Sequence, residues 1–195
     1  MLDGFPQARR ELPLESRRLA VPGGRVGIAP TPAAVRYILR CAPERTDLVR
    51  GVFGAPIPTV ACTAGMAGAR AALWLGPDEW LLLAEEGSQR LIETALASIV
   101  RDVPFSLVEV SHRNMAVELD GPAAADVLSS ACPIDLDAAT FRPGSCARTL
   151  FGKCEVVLWR TGERAFRLEF WRSYADYVWQ LLEAACADVA CLAET

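Results

Sequence analysis

The stretch EVSHRNMAVELDG, residues 109–121, contains the only histidine of this 195-residue chain. Ser111, His112, Arg113 and Asn114 form a polar run between two apolar ones. Serine beside histidine could act as a nucleophilic pair, and arginine beside histidine suits a carboxylate. Neighbours on a strand point to opposite faces, which disfavours the nucleophilic pair. Two interpretations stay open: a polar binding or interface patch, or a turn whose Ser and Asn side chains hydrogen-bond their own backbone.

The rest of the chain offers little other chemistry. It has no G-x-G-x-x-G and no Walker lysine loop, so no nucleotide site is predicted. The seven cysteines are odd in number, scattered and without a C-x-x-C pair, and with a single histidine they do not fit a zinc site. Most of them are typical of small core residues in a reducing cytoplasm.

Composition narrows the class of protein. Hydrophobic residues make up 52% of the chain and charged residues 23%, which is enough apolar material for a substantial core. The formal net charge of -4 disfavours nucleic acid or an anionic membrane as partner. The start, MLDGFPQARRELPLESRR, lacks the apolar core of a signal peptide, and no apolar run is long enough to span a bilayer. We therefore expect a soluble cytoplasmic protein.

The chain beyond an irregular N-terminal arm, residues 1–24, repeats itself. The same pattern occurs at Pro43 and again 79 residues later at Pro122: a short apolar strand, a small residue, the proline and then a helix. We assign residues 25–103 to the first half and 104–195 to the second. The second half carries about six more residues than the first, in the loop PIDLDAATFRPGSCAR.

Each half continues with a hairpin and a second helix. Polar turns at 76–79 and 161–164 separate pairs of apolar strands, with Trp74 and Trp159 at matching places. Helical spacing follows in both halves. The predicted buried faces are Leu91, Ile92, Ala95, Leu96 and Ile99 in the first, and Tyr174, Tyr177, Val178, Leu181, Leu182 and Ala185 in the second.

The repeat predicts the fold class. Each half has the order β-β-α-β-β-α, which read cyclically is a ferredoxin-like βαββαβ unit. We therefore predict an α+β protein with two pseudo-symmetric ferredoxin-like halves that exchange strands, and antiparallel sheets covered by helices. The sister position of 111–114 reads Pro32-Ala33-Ala34-Val35. The turn itself consequently does not require polar residues.

The second half carries a family resemblance. The stretches SHRN, GPAAADVL, CPIDL, Gly-x-Cys-x-Arg-Thr at 144–149 and WRSYADYVW follow one another in order. This chain resembles the gamma subunit of heterotetrameric sarcosine oxidase over roughly residues 30–187. Gamma subunits are in turn similar to the folate-binding domain of glycine-cleavage aminomethyltransferases.

The resemblance implies a non-catalytic role in the demethylation of sarcosine to glycine. The one-carbon unit would leave as formaldehyde or pass to tetrahydrofolate. FAD, FMN, NAD and the folate would belong to the other subunits, with alpha, beta and delta chains as partners and no cofactor or metal in this chain. Where aminomethyltransferases have an Asp-Asp pair, this chain reads Gly152-Lys153-Cys154-Glu155, which puts folate catalysis in doubt. The candidate contact residues for a partner or ligand are Ser111, His112, Arg113, Asn114 and Arg148.

Two alternatives stay open. One is a stand-alone folate-binding protein of the aminomethyltransferase type. The other is a redox protein that uses Cys146 or Cys154.

Overall fold

The computed structural model describes residues 12–99 and 104–192. Within these ranges the chain forms eleven strands and four α-helices. The strands are β1 (Leu19–Val21), β2 (Val26–Pro30), β3 (Ala34–Cys41), β4 (Ala64–Ala67), β5 (Arg70–Gly76), β6 (Glu79–Glu85), β7 (Phe105–Glu109), β8 (Asn114–Asp120), β9 (Cys146–Phe151), β10 (Cys154–Arg160) and β11 (Ala165–Trp171). The helices are α1 (Thr46–Phe53), α2 (Gln89–Ala97), α3 (Ala124–Ser129) and α4 (Ala175–Cys191).

The strands form two antiparallel sheets. The six-stranded sheet has the order β1-β2-β8-β11-β10-β9, and the five-stranded sheet has the order β4-β5-β6-β3-β7. β2 precedes β3 in the chain but pairs with β8 in the other sheet, and β7 precedes β8 but pairs with β3. Each sheet therefore takes one strand from the other half of the chain.

Three layers of apolar side chains hold the sheets and helices together. Buried residues of α1 and α2 pack on one face of the five-stranded sheet, and those of α3 and α4 pack on one face of the six-stranded sheet. The third layer contains side chains of both sheets and none of a helix; its centre includes Leu73, Leu81, Val157 and Trp159. The two sheets thus pack face to face with helices outside them, which confirms the predicted α+β class with antiparallel sheets covered by helices.

Helix α1 shows how local sequence sets an element's ends. Pro43 opens a short 3-10 turn in front of it, and the Thr46 hydroxyl donates to the Pro43 carbonyl at 2.8 Å. Gly54 ends the helix in the left-handed conformation, at φ 82°, and its N–H donates to the Arg50 carbonyl. The apolar residues Val49 and Phe53 lie four apart on the buried face.

The second helix of each half follows its predicted spacing with exceptions at the ends. Ile92 and Leu96 of α2 are buried, but Leu91 is 65% exposed. Val178, Leu182 and Ala185 of α4 are buried as predicted. Assigning Leu91 and Tyr174 to the buried faces was wrong: α2 buries only a narrow stripe on its sheet, and Tyr174, which is 39% exposed, precedes the start of α4.

The loop before β9 is the longer of the two helix-to-strand loops. It covers residues 130–145, against residues 54–63 in the first half, a difference of six residues that confirms the predicted insertion. Arg160 fastens this loop to β10. Its buried guanidinium donates to the carbonyls of Leu136 (3.2 Å) and Phe141 (2.9 Å).

The N-terminal segment was predicted to be irregular, and residues 1–11 of it lie outside the described residues. Residues 19–21 nevertheless form β1, which pairs with the edge of β2. Leu14 is fully buried in the apolar layer between the six-stranded sheet and helices α3 and α4, and Arg17 pairs with Asp176 of α4 at 2.8 Å. A three-residue strand is too short to show the alternation by which strands are recognised in a sequence.

Candidate functional site

The polar run 111–114 lies where the chain passes from one sheet to the other. β7 ends at Glu109 in the five-stranded sheet, and β8 begins at Asn114 in the six-stranded sheet. We call residues 110–113 the crossover turn. The N–H groups of Arg113 and Asn114 both donate to the Val110 carbonyl, at 3.0 and 2.9 Å. The Val110 N–H donates to the Arg36 carbonyl at 2.8 Å, which ties the turn to β3.

Ser111 braces this turn from inside. It is 3% exposed, and its Oγ accepts the backbone N–H of Arg36 at 3.0 Å. His112 is exposed to solvent. The serine and the histidine therefore lie in different environments, as strand geometry predicts, and they do not form a nucleophile and base.

Arg113 and two aromatic residues form an exposed group beside the turn. The Arg113 guanidinium carbon lies 5.3 Å from the centre of the Trp171 ring, and its Nε donates to Asn114 Oδ1 at 3.0 Å. The rings of Trp171 and Tyr174 are 6.2 Å apart, and these residues are 41% and 39% exposed. We call Arg113, Trp171 and Tyr174 the aromatic patch. Arginine and tryptophan in this arrangement are typical of the centres of protein interfaces.

A cavity of about 310 Å³ opens between the sheets next to the patch. Its walls are about equally polar and apolar, and its polar groups include Arg113, Asn114, Arg148 and Glu155. Arg148 of β9 pairs with Glu79 of β6, so this ion pair joins the two sheets at the cavity. Three of the five predicted contact residues thus line one cavity, although 34 positions separate Asn114 from Arg148 in the sequence. His112 lines a separate depression with Pro13 and Asp176, and Ser111 serves the turn.

A buried ion network lies under the cavity, and sequence reasoning missed it. Arg36 of β3 donates from Nε to Glu169 of β11 at 2.6 Å, and these side chains are 2% and 0% exposed. Arg167 donates from its Nε to the same carboxylate at 2.8 Å, and its Nη1 lies 3.5 Å from Glu118. Burial alone would raise the pKa of Glu169, but the two arginines outweigh it and hold this pKa below its usual range. The sequence carries no clear signal for this pair, because each strand has a second charge, Arg40 in β3 and Arg167 in β11.

The cysteines are not arranged for redox chemistry. All seven are free, and Cys146 is fully buried with its thiol 3.3 Å from the Thr63 carbonyl. Burial raises the pKa of Cys146 to about 12 and also raises that of Cys154. Reactive cysteines need the thiolate, so burial disfavours Cys146 and Cys154 as redox centres. No group of three potential metal ligands occurs in residues 12–99 and 104–192.

The helices are short or mixed in polarity. Across the described part of the chain, none has the length and apolar character to cross a membrane.

Comparison with known proteins gives a consistent result. The family model "Sarcosine oxidase, gamma subunit family" matches residues 41–188. The gamma subunit of sarcosine oxidase from Corynebacterium sp. (strain U-96) is 36% identical over 133 residues, which is 67% of this chain and 64% of the relative. That from Arthrobacter sp. is 40% identical over 103 residues, 53% of this chain and 50% of the relative. These alignments thus span less than two thirds of the relatives' own length.

Solved structures extend the likeness to the fold. A chain of the heterotetrameric sarcosine oxidase from Corynebacterium sp. U-96, solved in complex with pyrrole 2-carboxylate, is matched with a TM-score of 0.79 and 29% identity, over 88% of this chain and 89% of that one. Aminomethyltransferase T of the glycine cleavage system from Bartonella henselae is matched with a TM-score of 0.61 at 14% identity, over 82% of this chain and 45% of that one. The second likeness concerns the fold alone.

Proposed function

Because this chain belongs to the sarcosine oxidase gamma subunit family, we propose that it is a non-catalytic subunit of a heterotetrameric sarcosine oxidase. In this proposal the complex demethylates sarcosine to glycine, and the one-carbon unit passes to tetrahydrofolate or leaves as formaldehyde. The partners are alpha, beta and delta subunits, which hold FAD, FMN, NAD and the folate. The observation that carries the proposal is the match to a chain of a heterotetrameric sarcosine oxidase over nearly nine tenths of both chains.

The described residues favour a supporting role over catalysis. Ser111 is occupied with the backbone of β3, His112 faces solvent, and the buried thiols are not activated. The residue at the position of the Asp-Asp pair is Glu155, on the cavity wall. The folate-binding alternative has support only from the shared fold.

We also propose that the fold arose from two ferredoxin-like halves, residues 25–103 and 104–195. The order β7-β3-β6-β5-β4 of one sheet corresponds element by element to β2-β8-β11-β10-β9 of the other. Trp74 and Trp159 lie in the corresponding strands β5 and β10. The crossover turn then has a counterpart at residues 31–33, between β2 and β3, whose only polar side chain is that of Thr31.

A cytoplasmic location, with neither nucleic acid nor membrane as partner, completes the proposal. Seven free cysteines are typical of a reducing compartment. A net charge of -4 does not favour polyanions.

The aromatic patch is the proposed contact with the alpha subunit, and Arg113 is its anchor. Arg113 is exposed, carries a permanent charge and lies on an aromatic ring, so that a partner carboxylate can pair with it as water is excluded. Ser111 is excluded from this role because it is buried in the turn.

Paired measurements on Arg113→Ala test this contact. Loss of one partner of a desolvated charge pair costs about 2–5 kcal/mol, so the affinity for the partner subunits should fall at least about 30-fold. The melting temperature of the free chain should stay within about 2 °C, because an exposed arginine contributes little to stability. Arg50→Ala is the matched control, since Arg50 is also exposed and makes only a 3.9 Å pair with Asp47. A variant that melts early but assembles normally would show that Arg113 braces its own turn instead.

The isolated chain tests the non-catalytic role. Expressed alone, it should neither oxidise sarcosine nor carry flavin, and it should bind no tetrahydrofolate in calorimetry. Stoichiometric flavin on the chain would overturn the subunit assignment, and tight folate binding would favour the alternative.

A further inference from the structure

Trp159 of β10 is a buried indole whose N–H has no acceptor among the described residues. The residue is 7% exposed, and the nitrogen is shielded from bulk water. Two other buried tryptophans are satisfied: Trp80 donates to the Pro58 carbonyl at 2.6 Å, and Trp179 donates to Glu183 at 2.8 Å. Buried indole N–H groups usually donate to an acceptor within the protein. A buried donor that has no acceptor has lost its hydrogen bond to water and gained none in return. The exception at Trp159 therefore indicates a missing acceptor.

A second such donor lines the same cleft. Trp159 and Arg167 both line a cleft of about 340 Å³ between the β4–β5 hairpin and the strands β10 and β11. Arg167 Nη2 is 2.8 Å from Glu169 Oε1, but it is buried and makes no hydrogen bond with the described residues. Two N–H groups at one cleft can converge on a single oxygen.

Charge at the cleft favours a neutral acceptor over an anion. Arg167 already faces two carboxylates, Glu169 and Glu118. Arg70, the other cation of the lining, pairs with Glu85 and donates to the Phe53 carbonyl. An added carboxylate would meet Glu118 with no cation left to balance it. An amide carbonyl accepts strongly and brings no net charge.

We propose that this cleft binds the carbonyl oxygen of an uncharged amide, such as a peptide bond. The walls around it are small and apolar, including Ala71, Leu83 and Ala84, and suit the body of such a group. The rim carries Met66, which is 62% exposed. β4 is an edge strand and ends in a turn at Gly68. Because both donor nitrogens are buried, the proposal requires the hairpin tip to move outward when the oxygen binds. The amide can come from a small molecule or from a loop of a partner subunit.

Indole N–H resonances of the ¹⁵N-labelled chain test the site. N-methylacetamide should shift the Trp159 resonance saturably, whereas the Trp80 and Trp179 resonances should hardly move. Acetate, which is slightly smaller than N-methylacetamide and carries a negative charge, should shift it at least several-fold less at equal concentration. Trp159→Phe assigns the resonance and should remove the response. An unmoved Trp159 resonance, or an equal response to acetate, overturns the proposal.

Stability offers a second readout. Trp159→Phe removes an unsatisfied donor, whereas Trp80→Phe, the matched control, loses a made hydrogen bond. Both variants also lose packing of a buried ring, so Trp80→Phe should melt about 2–4 °C lower than Trp159→Phe. Equal losses in the two variants would show that the Trp159 N–H is satisfied in the free chain.

Two further samples identify the source of the amide. In the assembled complex, a partner loop in the cleft would leave Trp159 already shifted and insensitive to N-methylacetamide, whereas a small-molecule site would still respond. Deletion of residues 1–11 is the control for the chain's own N-terminus. If this deletion moves the Trp159 resonance in the free chain, the acceptor is internal and the proposal is wrong. This inference does not depend on the aromatic patch, so Arg113→Ala should leave the response to N-methylacetamide unchanged.

Discussion

Replacing Glu169 with glutamine should destabilise the protein more than any surface charge substitution. The carboxylate is fully buried between the sheets and is hydrogen-bonded by Arg36 at 2.6 Å and by Arg167 at 2.8 Å. Glutamine keeps the size but leaves the Arg36 charge, itself 2% exposed, without a counter-charge. Breaking one partner out of a buried pair costs about 3–5 kcal/mol. For a chain of this size that corresponds to a fall in melting temperature on the order of 6–20 °C.

The assay is urea unfolding followed by tryptophan fluorescence, with Glu118→Gln as the matched control. Glu118 is 57% exposed and lies 3.5 Å from Arg167, so its removal should cost below about 1 kcal/mol. The double variant Arg36→Met, Glu169→Leu removes both charges at once. It should lose less stability than the two single variants together, because Arg36 no longer stays buried without a counter-charge and Arg167 keeps Glu118 at 3.5 Å. If Glu169→Gln lowers the free energy of unfolding no more than Glu118→Gln does, the Arg36–Glu169 pair is open to water and the prediction is wrong.

Three further results are expected. Since the pKa of Glu169 is lower in the folded chain than the unfolded value of about 4.3, its stabilisation is present above that value and is lost as pH falls through the folded pKa. The difference in unfolding free energy between wild type and Glu169→Gln, measured by urea unfolding, should thus be constant above about pH 5 and shrink below about pH 4. A difference that grows in acid would contradict the lowered pKa of Glu169. A chromogenic disulfide reagent at pH 8 should rapidly label only the exposed Cys62 and Cys191. Replacing both with serine should abolish the fast phase of labelling. A fast phase that remains in this variant would show that a buried cysteine is accessible to the reagent. Gly65→Ala should unfold at lower temperature in calorimetry, because the added Cβ would lie 2.2 Å from the Pro56 carbonyl oxygen. The control Gly51→Ala in α1 places its Cβ within 4 Å of nothing and should stabilise the protein by up to about 1 kcal/mol. Equal shifts in melting temperature would mean that the backbone at Pro56 moves aside at no cost.

Local sequence predicted the fold class and most of the secondary elements. The predicted order β-β-α-β-β-α was wrong in one respect: the structure has three strands between the helices of each half, because β4 and β9 precede the two strands of each predicted hairpin. The apolar pairs four apart in α1, the polar turns at 76–79 and 161–164, and the spacing of Val178, Leu182 and Ala185 each reflect a period that backbone geometry imposes. The repeat predicted the class and the six extra residues of one loop, because both follow from the order of elements along the chain. It failed at residues 19–21 and at Leu91, where an element is short and its period is hard to read.

Residue types also identified part of the candidate site. Arg113, Asn114 and Arg148 were chosen as polar residues in a turn and a motif, and they line one cavity. The same reasoning grouped Ser111 with them, although it is buried under Arg36. Neighbouring side chains diverge at a turn, and only the path of the backbone tells which one points inward.

The tertiary structure alone decided which distant residues meet. The exchange of β2 and β7 carries the chain between the sheets at residues 110–113, and this crossover sets Arg113 against Trp171 and places it at the cavity that Arg148 also lines. Arg36 and Glu169 lie 133 positions apart, and no local period relates them. Their strands read as ordinary alternating segments, and the charges become a pair only because two sheet faces exclude water between them, where an unpaired charge would be too costly to keep.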